Sequence, residues 1–288
     1  MPSLTERSAA TPHDVDLVDA FVTAVVAATD VQPIDEARWA ARRGDGRAAL
    51  VIATEDDTTV GVAVVSSVGA ETTVDLAVHP DAPTGVDVDL LARAVDDDAR
   101  PGSIEVWTQN PSAALDAAAG TRGLIAEREL LELRRPLPIE PTTSLTTRAF
   151  RPGADDEEWL AVNGAAFADH PDQGAWTSAD LAARLAEDWF DPEGFRILDV
   201  DGRMAAFCWT KVHAERDLGE IYVIAVHPEA TGRGLGRAMT EDGLRHLADH
   251  VPAAMLYVEA NNTPAVALYR SLGFTTHHRV RSYVGSRP

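Results

Sequence analysis

Apolar residues in the first half of the chain follow two rhythms. From Val15 to Ala28 they return every three to four positions, the period of a helix with one buried face, and a second, shorter helix is predicted around Ile34 to Ala41. Dense β-branched and apolar runs at Ala48–Thr54, Val60–Ser67 and Thr73–Val78 predict strands, followed by a helix at Val88–Asp98, a strand at Ile104–Trp107, a helix at Ser112–Ala119 and a strand at Ala126–Leu133. The second half repeats that order. A strand at Leu145–Phe150 leads into helices at Asp155–Ala166 and Ser178–Glu187. Strands follow at Arg196–Val200, Met204–Val212 and Glu220–Val226, then a helix at Leu235–His250, a strand at Ala254–Glu259, a helix at Pro264–Ser271 and a strand at His277–Val284. The pattern predicts an α+β (α/β) fold in two domains, each a mixed central sheet flanked by helices.

Between the halves, the proline- and threonine-rich stretch PLPIEPTTSLTT continues neither helix nor strand. It divides the chain into residues 1–137, a linker at 138–146 and residues 147–288. An internal duplication is visible in register: Ala77-Val78-His79-Pro80-Asp81-Ala82 returns as Ala225-Val226-His227-Pro228-Glu229-Ala230, Asn110 as Asn262, and Gly123-Leu124 as Gly273-Phe274. Matches that keep their order and spacing point to a repeated unit.

Composition narrows the function classes. The net charge of −21 would repel polyphosphate backbones, and no basic run reverses it locally, so nucleic acid is not an expected partner. No apolar run approaches the ~20 residues of a membrane span, and Met1 is not followed by a signal pattern. The expectation is a soluble, cytoplasmic monomer. Cys208 is the single cysteine, which excludes an internal disulfide, and it reads as a small core residue. Lys211 is the single lysine. His246 and His250 have metal-ligand spacing on one helix face, but no Glu follows His246 as in H-E-x-x-H; they read as a solvated pair, and no metal is expected.

The sharpest local signal runs from Val226 to Arg237, where a strand ends in the glycine-rich turn Thr231-Gly232-Arg233-Gly234-Leu235-Gly236 and opens into a helix. Such a turn aims backbone N–H groups at one point, and the helix N-terminus adds about half a positive charge, so a pyrophosphate suits it. It is neither a Walker loop nor G-x-G-x-x-G. In the first half the matching turn reads Asp81-Ala82-Pro83-Thr84-Gly85-Val86-Asp87-Val88-Asp89, where proline removes a donor and aspartates oppose an anion.

At these residues the sequence resembles the GNAT acetyltransferase superfamily, whose signature Arg/Gln-x-x-Gly-x-Gly/Ala finds its glycines in Gly234 and Gly236, with Thr231 in place of Arg or Gln. The segment Asn262 to Phe274, with Ala265, Val266, Ala267, Leu268-Tyr269 and Gly273-Phe274, is similar to the segment that flanks the pantetheine in that family. The resemblance implies two tandem GNAT domains and acetyl-CoA as co-substrate. Ile224, Ala225 and Val226 would meet the pantetheine through main-chain groups, and residues 231–237 the pyrophosphate. A splay of the sheet would admit the thioester, with an N–H near Ile224 at the developing oxyanion.

A narrower resemblance, to the mycothiol synthase family of actinobacteria, rests on several stretches. They are Phe150 to Asp156, Asn163 to Phe167, His170 to Gly174, Trp189-Phe190-Asp191-Pro192, Phe207 to His213 and Leu218 to Val223. It implies acetyl transfer to the cysteinyl amine of cysteinyl-glucosaminyl-inositol, with Glu220 as general base and Tyr269 as general acid. Asp172, Lys211, Tyr257 and, from the first domain, Glu36 would be further acceptor contacts. The first domain is expected to be degenerate in catalysis. Two alternatives stay open: a GNAT enzyme acting on another amine (aminoglycoside, polyamine or protein N-terminus), and an acetyl-CoA-binding module without catalysis.

Overall fold

The computed structural model describes residues 2–35, 39, 48–96, 102–168 and 173–287. In chain order its strands are β1 (Ser3–Arg7), β2 (Ala49–Glu55), β3 (Thr58–Val68), β4 (Glu71–Val78), β5 (Gly102–Thr108), β6 (Ile125–Pro136), β7 (Arg148–Ala149), β8 (Phe195–Val200), β9 (Arg203–His213), β10 (Leu218–Val226), β11 (Ala253–Glu259) and β12 (Thr275–Arg287). The helices are α1 (Pro12–Thr29), α2 (Val86–Asp96), α3 (Ala113–Thr121), α4 (Asp156–Ala166), α5 (Ser178–Leu185), α6 (Leu235–Ala248) and α7 (Thr263–Ser271). They pack as two compact units. One is Met1–Leu131, Glu259–Asn262 and His277–Pro288; the other is Glu132–Val258 and Thr263–Thr276. Neither unit is contiguous in the chain, and packing assigns most of β12 to the first.

In the first unit, β1 to β4 form an antiparallel meander, β5 adds in parallel to β4, and β12 closes antiparallel on β5. The β-branched runs of the sequence have a reason here, because both faces of this sheet are covered. Leu50, Ile52, Val62 and Val64 pack under α1 with Val18, Phe21 and Val25, while Val51, Ala53, Ala63 and Val65 face α2 and α3. β1 was not predicted. Its side chains are mostly exposed, so it carries no apolar rhythm, and its pairing from Ser3↔Thr54 to Arg7↔Leu50 is a backbone matter. The helix expected around Ile34 to Ala41 lies mostly outside the described residues.

In the second unit, β7, β8, β9 and β10 are antiparallel and β11 runs parallel to β10. One face is an aromatic core. Trp159 of α4 meets Phe195, Phe207 and Trp209 edge-on, and Phe195 stacks on Trp209 at 4.4 Å. The opposite face takes α6, whose Gly243 lies so close that an added Cβ would sit 2.5 Å from Cys208 Sγ and 2.8 Å from Ile221. The strand expected at Leu145–Phe150 shrinks to two residues because the threonines before it are bound elsewhere. Thr142 and Thr143 each donate a hydroxyl and an N–H to the buried Glu241 carboxylate of α6, and the Thr147 hydroxyl donates to Asp242. Burial works to raise the Glu241 pKa, but these donors outweigh it and hold it below its usual value.

Candidate active site

Strand alternation decides which side chains share a face. In β9, Phe207 and Trp209 belong to the aromatic core, while Cys208 and Thr210 meet α6, so Lys211 and His213 continue the aromatic face. Glu220 of β10 pairs in register with Lys211 and with Met255 of β11, which puts it on that face too. His213 Nε2 and Glu220 Oε2 share a hydrogen bond of 2.8 Å. Lys211 Nζ stands 5.1 Å over the Trp189 ring, and Trp189 in turn meets Tyr222 edge-on at 5.1 Å.

Tyr257, two residues past Met255, completes the cluster. Its hydroxyl donates to Oε2 of Glu132 at 3.2 Å, and Oε1 of that fully buried carboxylate takes an Arg134 N–H at 2.6 Å. Although Tyr257 is 39% exposed as a residue, its hydroxyl end is dehydrated, and with the charges of Glu132 and Glu220 this pushes the phenol well above its ordinary range. Sequence reading missed Glu132. The signal was a carboxylate inside the apolar run Leu130-Leu131-Glu132-Leu133, with an arginine two residues on to face it.

Beside this cluster the sheet opens. The β10–β11 ladder holds only at Leu218↔Ala253, Gly219↔Ala254 and Glu220↔Met255, and a bulge between Ile221 and Val223 follows at once. A bulge turns the strand and ends pairing. Past Glu220, main-chain groups of Ile224, Ala225 and Val226 that point away from β9 have no place in that ladder. The corresponding pair in the first unit stays closed, with β4 and β5 paired from Glu71↔Ser103 to Leu76↔Thr108 and no shift between β3 and β4.

β10 leads into the glycine turn. His227 Nδ1 accepts the Glu229 N–H at 3.3 Å, the Thr231 hydroxyl donates to the Pro228 carbonyl at 2.9 Å, and Gly232 and Gly234 take φ of +76° and +77°. Those values are strained for any residue with a Cβ. Gly234 is the N-cap of α6 with no side chain capping it, and nothing lies within 4 Å of a Cβ built on Gly232 or Gly234. The first N–H groups of α6, from Leu235, Gly236 and Arg237, thus begin beneath open space with no capping side chain, the condition under which a helix start attracts an anion. Arg233 sits between the two glycines, and Arg237 hydrogen-bonds Ser271 at 2.5 Å.

Tyr269 comes from the other side. It is in the last turn of α7, 8% exposed, with Phe274 edge-on at 5.9 Å. Burial raises its phenol above the ordinary range, and the second contribution comes from Cys208, the register partner of Ile224. α7 also supplies Ala265, Val266 and Ala267 and begins just after Asn262; its Leu268 lies against Gly236 of α6. Glu220 and Tyr269 therefore serve opposite faces of the strands that splay. Glu36 and Asp172 lie outside the described residues. His246 is not part of a solvated pair as expected: it is half-buried and its Nε2 is 3.3 Å from Asp191 Oδ2, with His250 beside it.

Residues 159–274 match the family model described as acetyltransferase (GNAT) family. The chain is 42% identical over 276 residues to a mycothiol acetyltransferase of Thermomonospora curvata, covering 93% of this chain and 92% of that one. It is 36% identical over 343 aligned positions to a mycothiol acetyltransferase of Frankia casuarinae, covering 100% and 99%. Among solved structures, a GCN5-related N-acetyltransferase from Sphaerobacter thermophilus matches with a TM-score of 0.74 at 21% identity, over 99% of this chain and 96% of that one. A tandem GNAT protein from the clavulanic acid biosynthesis pathway matches with a TM-score of 0.65 at 17% identity, over 99% of each. At these identities the structural likeness is one of fold.

Proposed function

The chain belongs to the mycothiol acetyltransferase family of tandem GNAT proteins, and from that membership we propose that it transfers acetyl from acetyl-CoA to the cysteinyl amine of cysteinyl-glucosaminyl-inositol. The observation that carries this reading is the gathering of Lys211, Glu220 and Tyr257 on one face, directly beside the point where β10 and β11 part.

The acceptor arrives largely as an ammonium and attacks only once deprotonated. Glu220 takes that proton; the amine then adds to the thioester carbonyl, and the oxyanion forms beside the freed N–H groups near Ile224. As the carbon–sulfur bond breaks, the Tyr269 hydroxyl gives its proton to the leaving thiolate, and the second proton on the attacking nitrogen is lost and restores the phenol, leaving a neutral amide. A buried phenol is a weaker acid than a free one, but dry surroundings also raise the thiol it must protonate, as they do Cys208. Lys211, with Asp172 carried over from the resemblance, would be a contact for the acceptor.

Turnover is assigned to the second unit alone. Leu124 and Phe274 mark the same point in the two halves, each giving its N–H to the carbonyl five residues before it. In the first half that carbonyl belongs to Ala119, where the second has Tyr269. Seven residues before the His-Pro turn the first half has Thr72 where the second has Glu220. Asp87 and Asp89 also fill the first turn of α2, where an anion would otherwise be welcome.

Lys211→Ala tests the acceptor side. A hydrogen bond to a charged group contributes about 1.5–3 kcal/mol, so the KM for the cysteinyl sugar should rise roughly tenfold to hundredfold while that for acetyl-CoA stays within about twofold. Steady-state kinetics with each substrate varied reads the split. A rise in the acetyl-CoA KM alone would take Lys211 out of the acceptor site.

A further inference from the structure

Among the described residues, one group of three metal-ligating side chains stands outside the site already described. Asp191 lies in the segment between α5 and β8, and His246 and His250 lie at the end of α6. Each offers one ligand atom, and the three atoms are within 4.8 Å of one another. On the helix alone no acidic residue follows His246 as it would in H-E-x-x-H. The fold supplies the carboxylate instead, from a different segment of the same unit.

The arrangement is held in place from the Asp191 side. Asp191 caps the 3-10 turn Pro192–Gly194, and its Oδ1 accepts the Glu193 N–H at 2.9 Å, while its Oδ2 stands 3.3 Å from His246 Nε2. The far end of the turn is fixed as well, because the Gly194 carbonyl accepts the Thr210 hydroxyl at 2.9 Å. A Cβ on Gly194 would sit 2.8 Å from His246 Nε2, so glycine there keeps that nitrogen approachable. His250, four residues after His246, brings its ring centroid to 4.8 Å from the other, and its exposed ring can turn about its side-chain bonds.

Two ligands of a tetrahedral zinc ion, with bonds of about 2.0–2.2 Å, stand about 3.3–3.5 Å apart, which is the spacing of His246 Nε2 and Asp191 Oδ2. A protonated His246 would pair with Asp191 but repel a protonated His250 beside it. A shared metal ion instead uses a lone pair on each neutral ring. Imidazole donors select zinc and its first-row neighbours over magnesium and calcium, which take oxygen ligands. Of the charged groups around His246, Asp249 favours a cation; Arg196 of β8 opposes one, but it is engaged by Glu193 and Asp242.

We propose that Asp191, His246 and His250 form a binding site for zinc or a similar first-row divalent cation, with water in the fourth position. The ion would tie the segment that carries Trp189 to the end of α6. The inference stands apart from the reading of Glu220 and Tyr269 as base and acid.

The test uses the full chain, stripped of metal with a chelator and then titrated with zinc against a chromophoric chelator at slightly alkaline pH. Excess magnesium is present throughout. One zinc per chain should bind and resist displacement by magnesium. The chain has nine histidines, His277 and His278 adjacent among them, so the variants carry the assignment. His250→Ala, His246→Gln and Asp191→Asn should each weaken zinc binding by at least about tenfold, since removing a ligand costs no less than removing a partner behind one. Asp191→Asn keeps an oxygen for the Glu193 N–H, so the turn should survive it. If His246→Gln or Asp191→Asn alters the melting curve of the metal-free protein, His250→Ala decides, because an exposed ring contributes little to packing. No zinc bound by the wild type, or displacement by magnesium, would overturn the proposal. Unchanged zinc affinity in any variant that melts like the wild type would overturn the three-ligand site as well.

Discussion

Glu220→Gln should lower kcat at neutral pH by at least about 10²-fold and leave acetyl-CoA affinity close to wild type. The substitution keeps the shape of the side chain and its contact with His213 but removes the charge that takes the proton. Its pH profile carries the mechanism. Wild-type activity should rise with pH, the carboxylate helping the amine to lose its proton. In the variant only the amine's own deprotonation remains, so the rise should move to higher pH and the defect shrink there. A uniform loss at all pH values would instead describe a damaged site. Acetyl-CoA titration of the same variant guards against that reading, because the glycine turn and the freed strand edge, which would hold the co-substrate, lie after Glu220 in the chain.

Tyr269→Phe should cost a similar factor, with the opposite response to pH. The ring remains packed against Phe274, so the fold is kept, and only the proton for the thiolate is lost. Raising the pH frees more amine but does nothing for the departing sulfur, so no recovery is expected. The direction of the Tyr269 shift adds a wild-type expectation. A folded pKa raised by burial means the hydroxyl keeps its proton to higher pH than a free phenol, so activity should not fall on the alkaline side, up to about pH 10, through ionisation of this group. An acyl donor with a thiol that leaves easily should narrow the gap between Tyr269→Phe and wild type, and it should not narrow the gap for Glu220→Gln.

What the sequence disclosed and what it hid divide along one line. Features made by neighbours in the chain were legible. The His-Pro turn at residues 79–82 and 227–230 differs only in Asp81 for Glu229, and in each the histidine Nδ1 accepts the N–H two residues on. Gly123 and Gly273 both take positive φ at the end of a helix, and Gly232 and Gly234 do so in the turn read as suited to a pyrophosphate. Features made across strands were not legible. His213 lay inside a quoted stretch, but only the register of β9 against β10 brings its ring to Glu220. Glu132 finds Tyr257 across 125 positions, and the threonines read as a linker find Glu241 across roughly 100. The bulge at Tyr222 has no glycine or proline to announce it, yet it coincides with the end of the β10–β11 ladder. β1 shows the converse, a strand whose exposed side chains leave no apolar rhythm to detect.

The most direct test offers the purified chain acetyl-CoA with cysteinyl-glucosaminyl-inositol, an aminoglycoside, a polyamine and an N-terminal peptide, each alone and in competition, and locates the acetyl group in the product. The account predicts that the cysteinyl sugar has a kcat/KM at least about 10²-fold above the others, a margin of about 2.7 kcal/mol in transition-state binding, and that acetyl is found on its amine with the cysteinyl thiol still free. Preferred acetylation of any of the other amines, or binding of acetyl-CoA with no turnover on the cysteinyl sugar, would contradict it.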